Sequence, residues 1–258
     1  MTSSAPTPTP SPGSAEPRTV LITGGAGGIG QSIARAFIAA GDRAILADRD
    51  AAAVTAAAPE LGAEALALDI TDAAAVAAAL NDLAERGGVD VLVNNAGILS
   101  VHGAVTELEP DAYRSILEVN VIGTFNMIQA FARHRIAAGG GGAIVNISSI
   151  GGRQPTPGMG AYESSKAAVD SVTRWAAIEL AAHGIRVNAV APGPVLTPML
   201  EMGMPEGSAA REAWSSRIPL GDLAKTTDIA PSVVFLASTD AGHITGVSLA
   251  VDGGQLLT

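Results

Sequence analysis

Apolar residues follow two alternating patterns along the chain from Arg18 onward. Short segments that are almost continuously apolar, and rich in Val, Ile, Leu and Ala, are typical of strands covered on both faces of a sheet. They predict seven strands, at residues 18–23, 43–48, 64–69, 89–95, 143–148, 185–191 and 246–252. Longer segments with a helical spacing of apolar residues predict helices at residues 28–40, 50–58, 72–86, 110–137, 161–183 and 227–238.

This alternation of strands and helices predicts the fold class. Short links between apolar strands and helices favour a parallel sheet built by right-handed crossovers, with helices on both faces. Gly41 and Gly184 directly follow two predicted helices, where glycine commonly ends a helix. We therefore expect an α/β protein with a doubly wound, seven-stranded parallel sheet, and we find no linker that divides residues 18–258.

Composition and charge exclude several classes of protein. Apolar residues make up 48% of the 258 residues and aromatic residues only 3%, so the core should consist of small aliphatic side chains. The charges sum to −10, which argues against nucleic acid or an anionic membrane as partner. No window approaches the ~18 consecutive apolar residues of a membrane span. The chain has no cysteine and its four histidines lack metal-ligand spacing, so we expect a cytoplasmic protein without a metal.

The first seventeen residues differ in composition from the rest of the chain. They contain five prolines among Ser, Thr and Ala, and such a segment cannot bury enough apolar surface to become ordered. A basic region followed by an apolar one, as in a secretory signal, is absent. Residues 1–17 are expected to form a disordered tail, and residues 18–258 a single domain.

A glycine-rich turn joins the first predicted strand to the first predicted helix. Its sequence, TGGAGGIG at residues 23–30, contains Gly25-x-Gly27-x-x-Gly30 and equally a Thr-Gly-x-x-x-Gly-x-Gly pattern. In either alignment the glycines allow a sharp turn and a close approach to a pyrophosphate, which then faces the helix N–H groups. The turn therefore predicts a dinucleotide site in a Rossmann-type fold.

An acidic residue ends the second predicted strand, as a dinucleotide site requires. Asp48 lies eighteen residues after Gly30 and could accept hydrogen bonds from an adenosine ribose, although a loop carboxylate before the helix at residues 50–58 would occupy the same position. Its charge would repel a 2′-phosphate, which favours NAD over NADP. Arg49 complicates this preference, because an arginine there could bind that phosphate.

A tyrosine and a lysine stand four residues apart in a predicted helix. Tyr162 and Lys166, in the sequence AYESSKAAVD, share one face because residues i and i+4 are neighbours on a helix. The chain has only two tyrosines and two lysines, so the pair is uncommon, but it does not by itself establish a site.

Together these motifs resemble the short-chain dehydrogenase/reductase family, in its compact branch of about 250 residues. The resemblance covers residues 18–258. Each motif is short and permissive, but all occur in the order of the family: TGGAGGIG (23–30), LALDITD (66–72), NNAG (94–97), EVNVIGTF (118–125), NISS (146–149), YESSK (162–166), PGPVLT (192–197) and AVDGG (250–254).

The resemblance implies the chemistry of the tyrosine–lysine pair. In this family the tyrosine gives or removes the proton of the substrate oxygen while hydride passes to or from nicotinamide, and the lysine also binds the nicotinamide ribose. An unperturbed phenol titrates near ~10. We therefore expect the ammonium of Lys166, aided by the oxidised nicotinamide, to lower the pKa of Tyr162.

Two further residues complete the catalytic set that the resemblance implies. Ser149, thirteen residues before Tyr162, would bond the substrate oxygen, and Ser148 is its rival. Asn120 lies in an apolar helical segment, where asparagine is unfavourable. It would hold a water molecule that links Lys166 to solvent, and a capping or packing role is the alternative.

The resemblance also implies a set of cofactor contacts. Asp69 would meet the adenine amino group, while Val195 and Thr197 would contact the carboxamide of the nicotinamide. Ordinary strand-end or turn chemistry would also explain such residues. The full expected set is Gly24, Gly28, Ile29, Gly30, Asp48, Arg49, Asp69, Ile70, Asn95, Ala96, Gly97, Tyr162, Lys166, Pro192, Val195 and Thr197.

The substrate pocket is expected at residues 99–103, 150–160 and 196–218. The last stretch interrupts the strand–helix alternation and predicts a lid. Its methionines suit a bulky apolar substrate, although an oligomer contact or plain lid packing would explain them too; they are Met199, Met202 and Met204.

The charges of the pocket segments indicate a neutral substrate. No lysine or arginine is obviously reserved for an anion, although three arginines remain candidates: Arg153, Arg211 and Arg217. We expect a neutral secondary alcohol or ketone, cyclic or terpenoid-like.

The predicted helices 110–137 and 161–183 are long and largely apolar, so they must be buried against the sheet or another subunit. The resemblance implies a homotetramer formed through these helices and the C-terminal strand.

The function expected is NAD-dependent interconversion of a secondary alcohol and a ketone, with Tyr162 as general acid and base. One alternative is an NADPH-dependent reductase of 3-oxoacyl thioesters, against which Asp48 argues. Another is a non-catalytic nucleotide sensor of the same fold, in which the catalytic set would be broken, whereas here it is complete.

Overall fold

The computed structural model describes residues 16–197, 200–201 and 204–258. Most of the predicted tail (residues 1–15) and two of the predicted lid methionines, Met199 and Met202, lie outside the described residues.

A seven-stranded parallel sheet forms the centre of the molecule, as predicted. The strands in chain order are β1 (Thr19–Thr23), β2 (Arg43–Asp48), β3 (Glu64–Ala67), β4 (Val91–Asn94), β5 (Gly142–Ile147), β6 (Ile185–Pro192), β7 (Val195–Leu196), β8 (Ala224–Lys225) and β9 (Ser248–Val251). The sheet has the order β3-β2-β1-β4-β5-β6-β9, and β7 pairs separately with β8. The predicted boundaries of the seven sheet strands differ from these by at most two residues.

Helices cover both faces of the sheet. They are α1 (Gly28–Ala39), α2 (Ala51–Leu61), α3 (Ala73–Glu85), α4 (Pro110–Leu117), α5 (Thr124–Ala137), α6 (Gly160–Leu180), α7 (Ala209–Ser215) and α8 (Thr226–Ala237). None of the helices in the described ranges is both long and apolar enough to cross a membrane.

Two apolar layers, one on each face of the sheet, make up the core. Because successive side chains of a strand point to opposite faces, β1 contributes Val20 and Ile22 to one layer and Leu21 to the other. The first layer packs against α1, α2 and α8, and the second against α3, α5 and α6. Phe37 and Phe131 are the largest fully buried side chains, and aliphatic residues fill the rest, as the composition predicted.

The predicted helix 110–137 is not a continuous α-helix, so that prediction was wrong. A π-helical segment, Glu118–Gly123, separates α4 from α5. Within this wider turn Asn120 is fully buried, and its main-chain oxygen accepts a hydrogen bond of 2.9 Å from the hydroxyl of Thr124. Apolar spacing cannot distinguish this turn from an α-helical one, because both keep side chains on roughly the same face; π segments often occur at functional sites.

The strand order places the site. Between β1 and β4 the chain changes the direction in which it adds strands, and ligands of doubly wound sheets bind beyond the carboxyl ends of the strands at this point. The glycine turn after β1 and the segment after β4 both lie there.

Candidate active site

The glycine turn is packed closely against the end of β4. Gly24 has φ +62°, in the left-handed region, and a Cβ on it would lie 2.8 Å from the Cα of Ala96. A Cβ on Gly30 would collide with the carbonyl oxygen of Gly24. Gly27, by contrast, would meet only an ordinary contact at 3.4 Å. The geometry therefore explains Gly24 and Gly30, and also Gly25, on which a Cβ would lie 2.7 Å from the side chain of Leu46.

Asn95 fastens this turn to the sheet. Its side-chain amide donates to the carbonyl oxygens of Thr23 (3.0 Å) and Gly24 (2.9 Å). The hydroxyl of Thr23 in turn accepts from the backbone N–H groups of Asn95 and Ala96, each at 3.1 Å. Asn95 thus holds the turn in position, in addition to lining the cavities described next.

Two adjacent cavities lie at this edge of the sheet. The first, of about 560 Å³, is lined by the glycine turn, the ends of β2 and β4, and the segment after β3; we call it the cofactor cleft. The residues of the expected cofactor set that line it are Gly24, Gly28, Ile29, Asp48, Arg49, Asp69, Ile70, Asn95, Ala96, Gly97 and Thr197. Gly30 is buried beneath the turn and does not line the cleft.

Asp48 lies at the far end of the cofactor cleft from β5. One of its carboxylate oxygens accepts from the backbone N–H of Ala26 in the glycine turn (3.2 Å), and the other from that of Asp50 (3.1 Å). Asp50, rather than Asp48, caps α2, because its side chain accepts from Ala53. Asp48 therefore lies before the helix without capping it, and its role toward a ribose stays a prediction.

A second carboxylate makes this end of the cleft acidic. Hydrogen bonds from the N–H and hydroxyl of Thr71 lower the pKa of Asp69, and the charge of Arg49 lowers it further. The positive charge of Arg49 thus lies near Asp69 as well as beside Asp48. Two carboxylates and one guanidinium leave this region with a net negative charge.

The second cavity, of about 450 Å³, adjoins the cofactor cleft, and we call it the substrate cavity. The two share five lining residues: Ile29, Asn95, Gly97, Ile98 and Thr197. Three of the four expected catalytic residues line the substrate cavity, namely Ser149, Tyr162 and Lys166, together with Pro192 and Val195 from the expected cofactor set.

Lys166 extends from α6 into the junction of the two cavities. Its ammonium donates to the carbonyl oxygen of Ile147 at the end of β5 (2.8 Å) and lies 5.6 Å from the centroid of the Tyr162 ring. Burial lowers the pKa of Lys166 to about 8, although the carboxylate of Asp170 opposes this shift. The helical spacing therefore does place the pair together, as predicted.

The expected lowering of the Tyr162 pKa is absent. Burial raises the pKa of Tyr162, the hydrogen bond with Ser149 lowers it, and the charge of Glu163 raises it. Burial prevails because a phenolate loses its hydration there, while the Lys166 ammonium is directed at the Ile147 carbonyl. Tyr162 is therefore a neutral phenol at neutral pH, which suits a proton donor.

The structure distinguishes the two candidate serines. Ser148 is buried and donates to the carbonyl oxygen of Lys166 (3.2 Å), so its hydroxyl joins β5 to α6. Ser149 begins a short 3₁₀ turn (Ile150–Gly152), its hydroxyl accepts from the N–H of Gly151 (3.1 Å), and it is the serine that interacts with the Tyr162 phenol.

Asn120 does not line the substrate cavity but lies directly behind it. Its side-chain oxygen accepts from the N–H of Ile98 (2.8 Å), and its amide donates to the carbonyl of Ile98 (3.0 Å) and the hydroxyl of Ser165 (3.0 Å). Both amide hydrogens are thus used within the protein. A Cβ on Gly97 would lie 3.3 Å from this oxygen and 3.4 Å from the Lys166 ammonium. Both groups therefore lie next to Gly97.

Glu163 is a site residue that the sequence did not indicate. It is buried beside Tyr162, and its two carboxylate oxygens accept from the N–H of Thr156 at 2.8 and 2.9 Å. It therefore holds the loop over the cavity and also raises the pKa of Tyr162. The sequence places Glu163 within the YESSK motif. It does not predict that Glu163 is buried, because that burial depends on how the loop at Thr156 folds over it.

Replacement of this carboxylate tests the electrostatics of the site. Glu163→Gln keeps an acceptor for Thr156 but removes the negative charge, so the pKa of Tyr162 should fall. Because alcohol oxidation needs the deprotonated phenol, the rise of its kcat/KM with pH should move to lower pH. Glu179→Gln, on an exposed position of the same helix, is the control and should leave the profile unchanged. An unchanged profile in Glu163→Gln would contradict the assignment.

The predicted lid contributes to the substrate cavity. Leu200, Met204 and Trp214 line it, whereas Met199 and Met202 lie outside the described residues.

The candidate arginines have other contacts. Arg153 donates to the carbonyl of Ser248 (2.6 Å), Arg211 lies 3.8 Å from Asp222, and Arg217 stacks on Trp214 at 4.9 Å.

Comparisons with known proteins agree with this geometry. A family model described as enoyl-(acyl carrier protein) reductase matches residues 24–255. Galactitol 2-dehydrogenase (L-tagatose-forming) of Cereibacter sphaeroides is 43% identical over 238 residues, which cover 90% of this chain and 92% of that protein.

Solved structures are similar over nearly the whole chain. The crystal structure of 3-ketoacyl-(acyl-carrier-protein) reductase from Brucella melitensis complexed with NADH has a TM-score of 0.85 and 38% identity, covering 93% of this chain and 98% of that one. ElxO with NADP bound has a TM-score of 0.85 and 35% identity, covering 94% and 100%.

The chain therefore belongs to the short-chain dehydrogenase/reductase family, as the motifs predicted. The expected class of enzyme, an oxidoreductase that acts on alcohol and carbonyl groups, is confirmed at the level of this family.

Proposed function

We propose that this protein catalyses the NAD-dependent interconversion of a neutral secondary alcohol and a ketone. The observation that supports it best is that Ser149, Tyr162 and Lys166 all line the substrate cavity, which adjoins the cofactor cleft. The dinucleotide, when bound, supplies the hydride acceptor or donor. The residues of this chain hold the substrate oxygen and move its proton.

The proton chemistry follows from the charges of the site. In ketone reduction the phenol of Tyr162, neutral because its pKa is raised, gives its proton to the carbonyl oxygen. In alcohol oxidation the phenolate receives the hydroxyl proton, so this direction should gain with pH. Ser149 donates to the same oxygen, and Lys166 brings positive charge beside the phenolate. We retain the predicted relay of protons from Lys166 to solvent past Asn120 as part of the proposal.

The cofactor contacts at Asp48 favour NAD. Its carboxylate faces the cofactor cleft, and with Asp69 it outweighs the charge of Arg49, so a 2′-phosphate would meet net repulsion. Asp48→Asn should keep the acceptor for the glycine turn but remove that charge. We expect the ratio of kcat/KM with NAD to that with NADP to fall by about 10-fold to 100-fold. Asp50→Asn, at the neighbouring helix cap, is the control; an unchanged ratio in Asp48→Asn would argue against the role of Asp48.

The lining of the substrate cavity supports a neutral substrate. Among the described lining residues, Lys166 is the only lysine or arginine, and it faces the reacting groups. Most of the wall is apolar, from Ile98 and Leu99 on one side to Met204 and Trp214 in the lid segment. We propose that residues 196–218 act as the lid of a single catalytic domain.

One alternative function has a specific observation in its favour. One similar solved structure, complexed with NADH, is named a 3-ketoacyl-(acyl-carrier-protein) reductase, whereas the name of the family model refers to enoyl reduction, a different reaction. An NADPH-dependent reductase of 3-oxoacyl thioesters therefore remains the second candidate.

One experiment separates these functions. NADH formation would be followed from NAD⁺ with a panel of secondary alcohols, beside reduction of 3-oxoacyl thioesters by NADH and NADPH. Turnover of alcohols with NAD⁺ would support the proposal. Turnover confined to thioesters with NADPH would overturn it, and binding of NADH without any turnover would favour the non-catalytic sensor.

An exposed apolar surface on α5 and α6 favours the proposed homotetramer. Phe125 and Trp175 stack there with ring centroids 5.8 Å apart, and Trp175 is 48% and Ile178 80% exposed. Such side chains in contact with water are typical of an interface. Light scattering should therefore give four times the monomer mass of 25.7 kDa, and Ile178→Asp should lower that mass. A monomeric mass for the unaltered protein would contradict the proposal.

A further inference from the structure

A buried carboxylate lies one helical turn beyond the tyrosine–lysine pair. Asp170 follows Lys166 by four residues, as Lys166 follows Tyr162, so the three side chains lie along one face of α6. The side chain of Asp170 is only 7% exposed. Because burial of an unpaired charge is costly, a carboxylate at this position must have partners within the fold.

Two residues hold the carboxylate of Asp170. One of its oxygens accepts from the hydroxyl of Ser248 in β9 (2.8 Å), and the other lies 3.6 Å from Nε of Arg153. Arg153 in turn donates to the main-chain oxygen of Ser248 (2.6 Å), so the three residues form a closed ring of contacts. This ring joins α6 to β9 and to the end of the turn that begins at Ser149. The position of the carboxylate is therefore fixed.

The turn that carries Arg153 packs against α6 at Lys166. A Cβ on Gly152 would lie 3.0 Å from the main-chain carbonyl carbon of Lys166 and 2.9 Å from the main-chain nitrogen of Ala167. The contact leaves no room for a side chain at Gly152. The next residue, Arg153, therefore begins close to the helix, from where its guanidinium reaches Asp170.

The titratable groups near Lys166, among the described residues, belong mainly to α6 itself. Tyr162 is a neutral phenol, and the carboxylate of Glu163 accepts from the N–H of Thr156. Asp170 is the carboxylate that raises the pKa of Lys166, against the effect of burial. The neighbouring β5 and π-helical segment present uncharged groups to this region, the main-chain oxygen of Ile147 and the side chain of Asn120.

We propose that Asp170 is a positioning residue for the reaction: its charge holds Lys166 as an ammonium beside Tyr162, and the ion pair with Arg153 limits the strength of that charge. This inference rests on the proposed function. Charges shielded from water are screened little, so a buried carboxylate one turn away acts strongly on the ammonium. The positive charge of Arg153 opposes this effect. The reaction needs the ammonium beside the phenolate, so the charge of Asp170 should control how far activity persists as the pH rises.

The test measures the protonation of Lys166 directly. The chain has only two lysines, so protein labelled with ¹³C at the lysine Cε gives two NMR signals, of which that of Lys225 is the internal reference. In the unaltered protein Lys166 should titrate with a pKa of about 8. In Asp170→Asn, which keeps an acceptor for Ser248, this midpoint should fall by about one pH unit, and in Arg153→Met it should rise.

The opposite directions distinguish an electrostatic effect from a loosened structure. Loosening around Lys166 would hydrate the ammonium and raise its pKa in both variants. The matched control is Asp82→Asn, which removes an exposed carboxylate of α3 that also has an arginine partner, Arg86 at 3.4 Å. It should leave the midpoint of Lys166 unchanged.

The activity of Asp170→Asn should follow the charge of Lys166. At pH ~6 the lysine is an ammonium in both proteins, so kcat/KM for alcohol oxidation should differ less than about twofold. At pH ~9 a fall of one unit in the pKa leaves the variant with about one tenth of the ammonium, and its kcat/KM should be ~10-fold below that of the unaltered protein.

Three results would overturn the inference while the proposed function stands. They are an unchanged or raised midpoint in Asp170→Asn, shifts in the same direction in Asp170→Asn and Arg153→Met, and an equal loss of activity at pH ~6 and pH ~9. If no alcohol were oxidised with NAD⁺ or NADP⁺, the proposed function would fail, and the role of Asp170 in the reaction would fail with it, whatever the titration showed.

Discussion

Tyr162→Phe should abolish most of the activity while leaving the fold and the cofactor affinity intact. The substitution removes one hydroxyl, the group that exchanges a proton with the substrate oxygen in the proposed reaction. General acid–base catalysis contributes about 10²-fold to 10⁴-fold in rate, and Tyr162 is the one phenol among the described residues that line the substrate cavity. We therefore expect kcat/KM to fall by ~10³-fold or more in both directions, with the dissociation constant for NADH changed less than about twofold.

The chain provides its own control for this experiment. Tyr113 is the other tyrosine, and its hydroxyl lies 2.8 Å from that of Ser164, where α4 meets α6. Tyr113→Phe removes the same atom from a position outside the substrate cavity. It should lower stability slightly, by about 1 kcal/mol, and leave kcat unchanged. Equal activity loss in the two variants would show that the effect is structural.

Lys166→Met should lower activity by about 10²-fold to 10⁴-fold and at the same time stabilise the folded protein near neutral pH. The ammonium is buried, and its pKa is about 8 instead of 10.5. Between those two values the unfolded chain binds more protons than the folded one, so stability attributable to this group rises with pH there. Below pH ~8 the lysine is charged in both the folded and the unfolded protein, so the full cost of burying the ammonium lowers the free energy of unfolding. At 1.36 kcal/mol per pKa unit this cost is on the order of 3 kcal/mol.

The lost hydrogen bond offsets part of this gain. Lys166 donates to the carbonyl of Ile147, and a buried carbonyl without a donor costs about 1–3 kcal/mol. The net stabilisation at pH 7 should therefore be about 1 kcal/mol and should disappear above pH ~10, where the unfolded lysine also loses its proton. Urea unfolding at several pH values, beside activity assays, measures both effects.

Lys225→Met is the matched control, because the chain has only these two lysines and Lys225 is exposed at the start of α8. It should change neither activity nor the dependence of stability on pH between 8 and 10. The free energy of unfolding of Lys166→Met is compared with that of the unaltered protein at each pH. If this difference were not more favourable to the variant at pH 7 than at pH 10, the burial cost assigned to the ammonium would be wrong.

Contacts within one helix can be predicted from the sequence, whereas the electrostatics of the site cannot. Spacing along one helix predicts that Tyr162 and Lys166 are neighbours, since that contact is local. It does not predict the direction of a pKa shift, because that depends on hydration and on charges from other elements. For the same reason Glu163 and Asn120 acquired their hydrogen-bond roles only in three dimensions.

The sequence by itself determined the strands, most of the helices, the glycine turn and the family, because each depends on residues close together in the chain. The tertiary structure decided what depends on distant segments meeting: Ser149 rather than Ser148 beside the phenol, and the π turn whose Asn120 is buried against Ile98 and Ser165. It also brought Gln255 from the C-terminal segment to a cavity formed by segments up to 226 residues earlier, such as Ile29. No pattern within a helix or strand predicts such a contact, since the packing of the whole domain determines which side chains share one cavity.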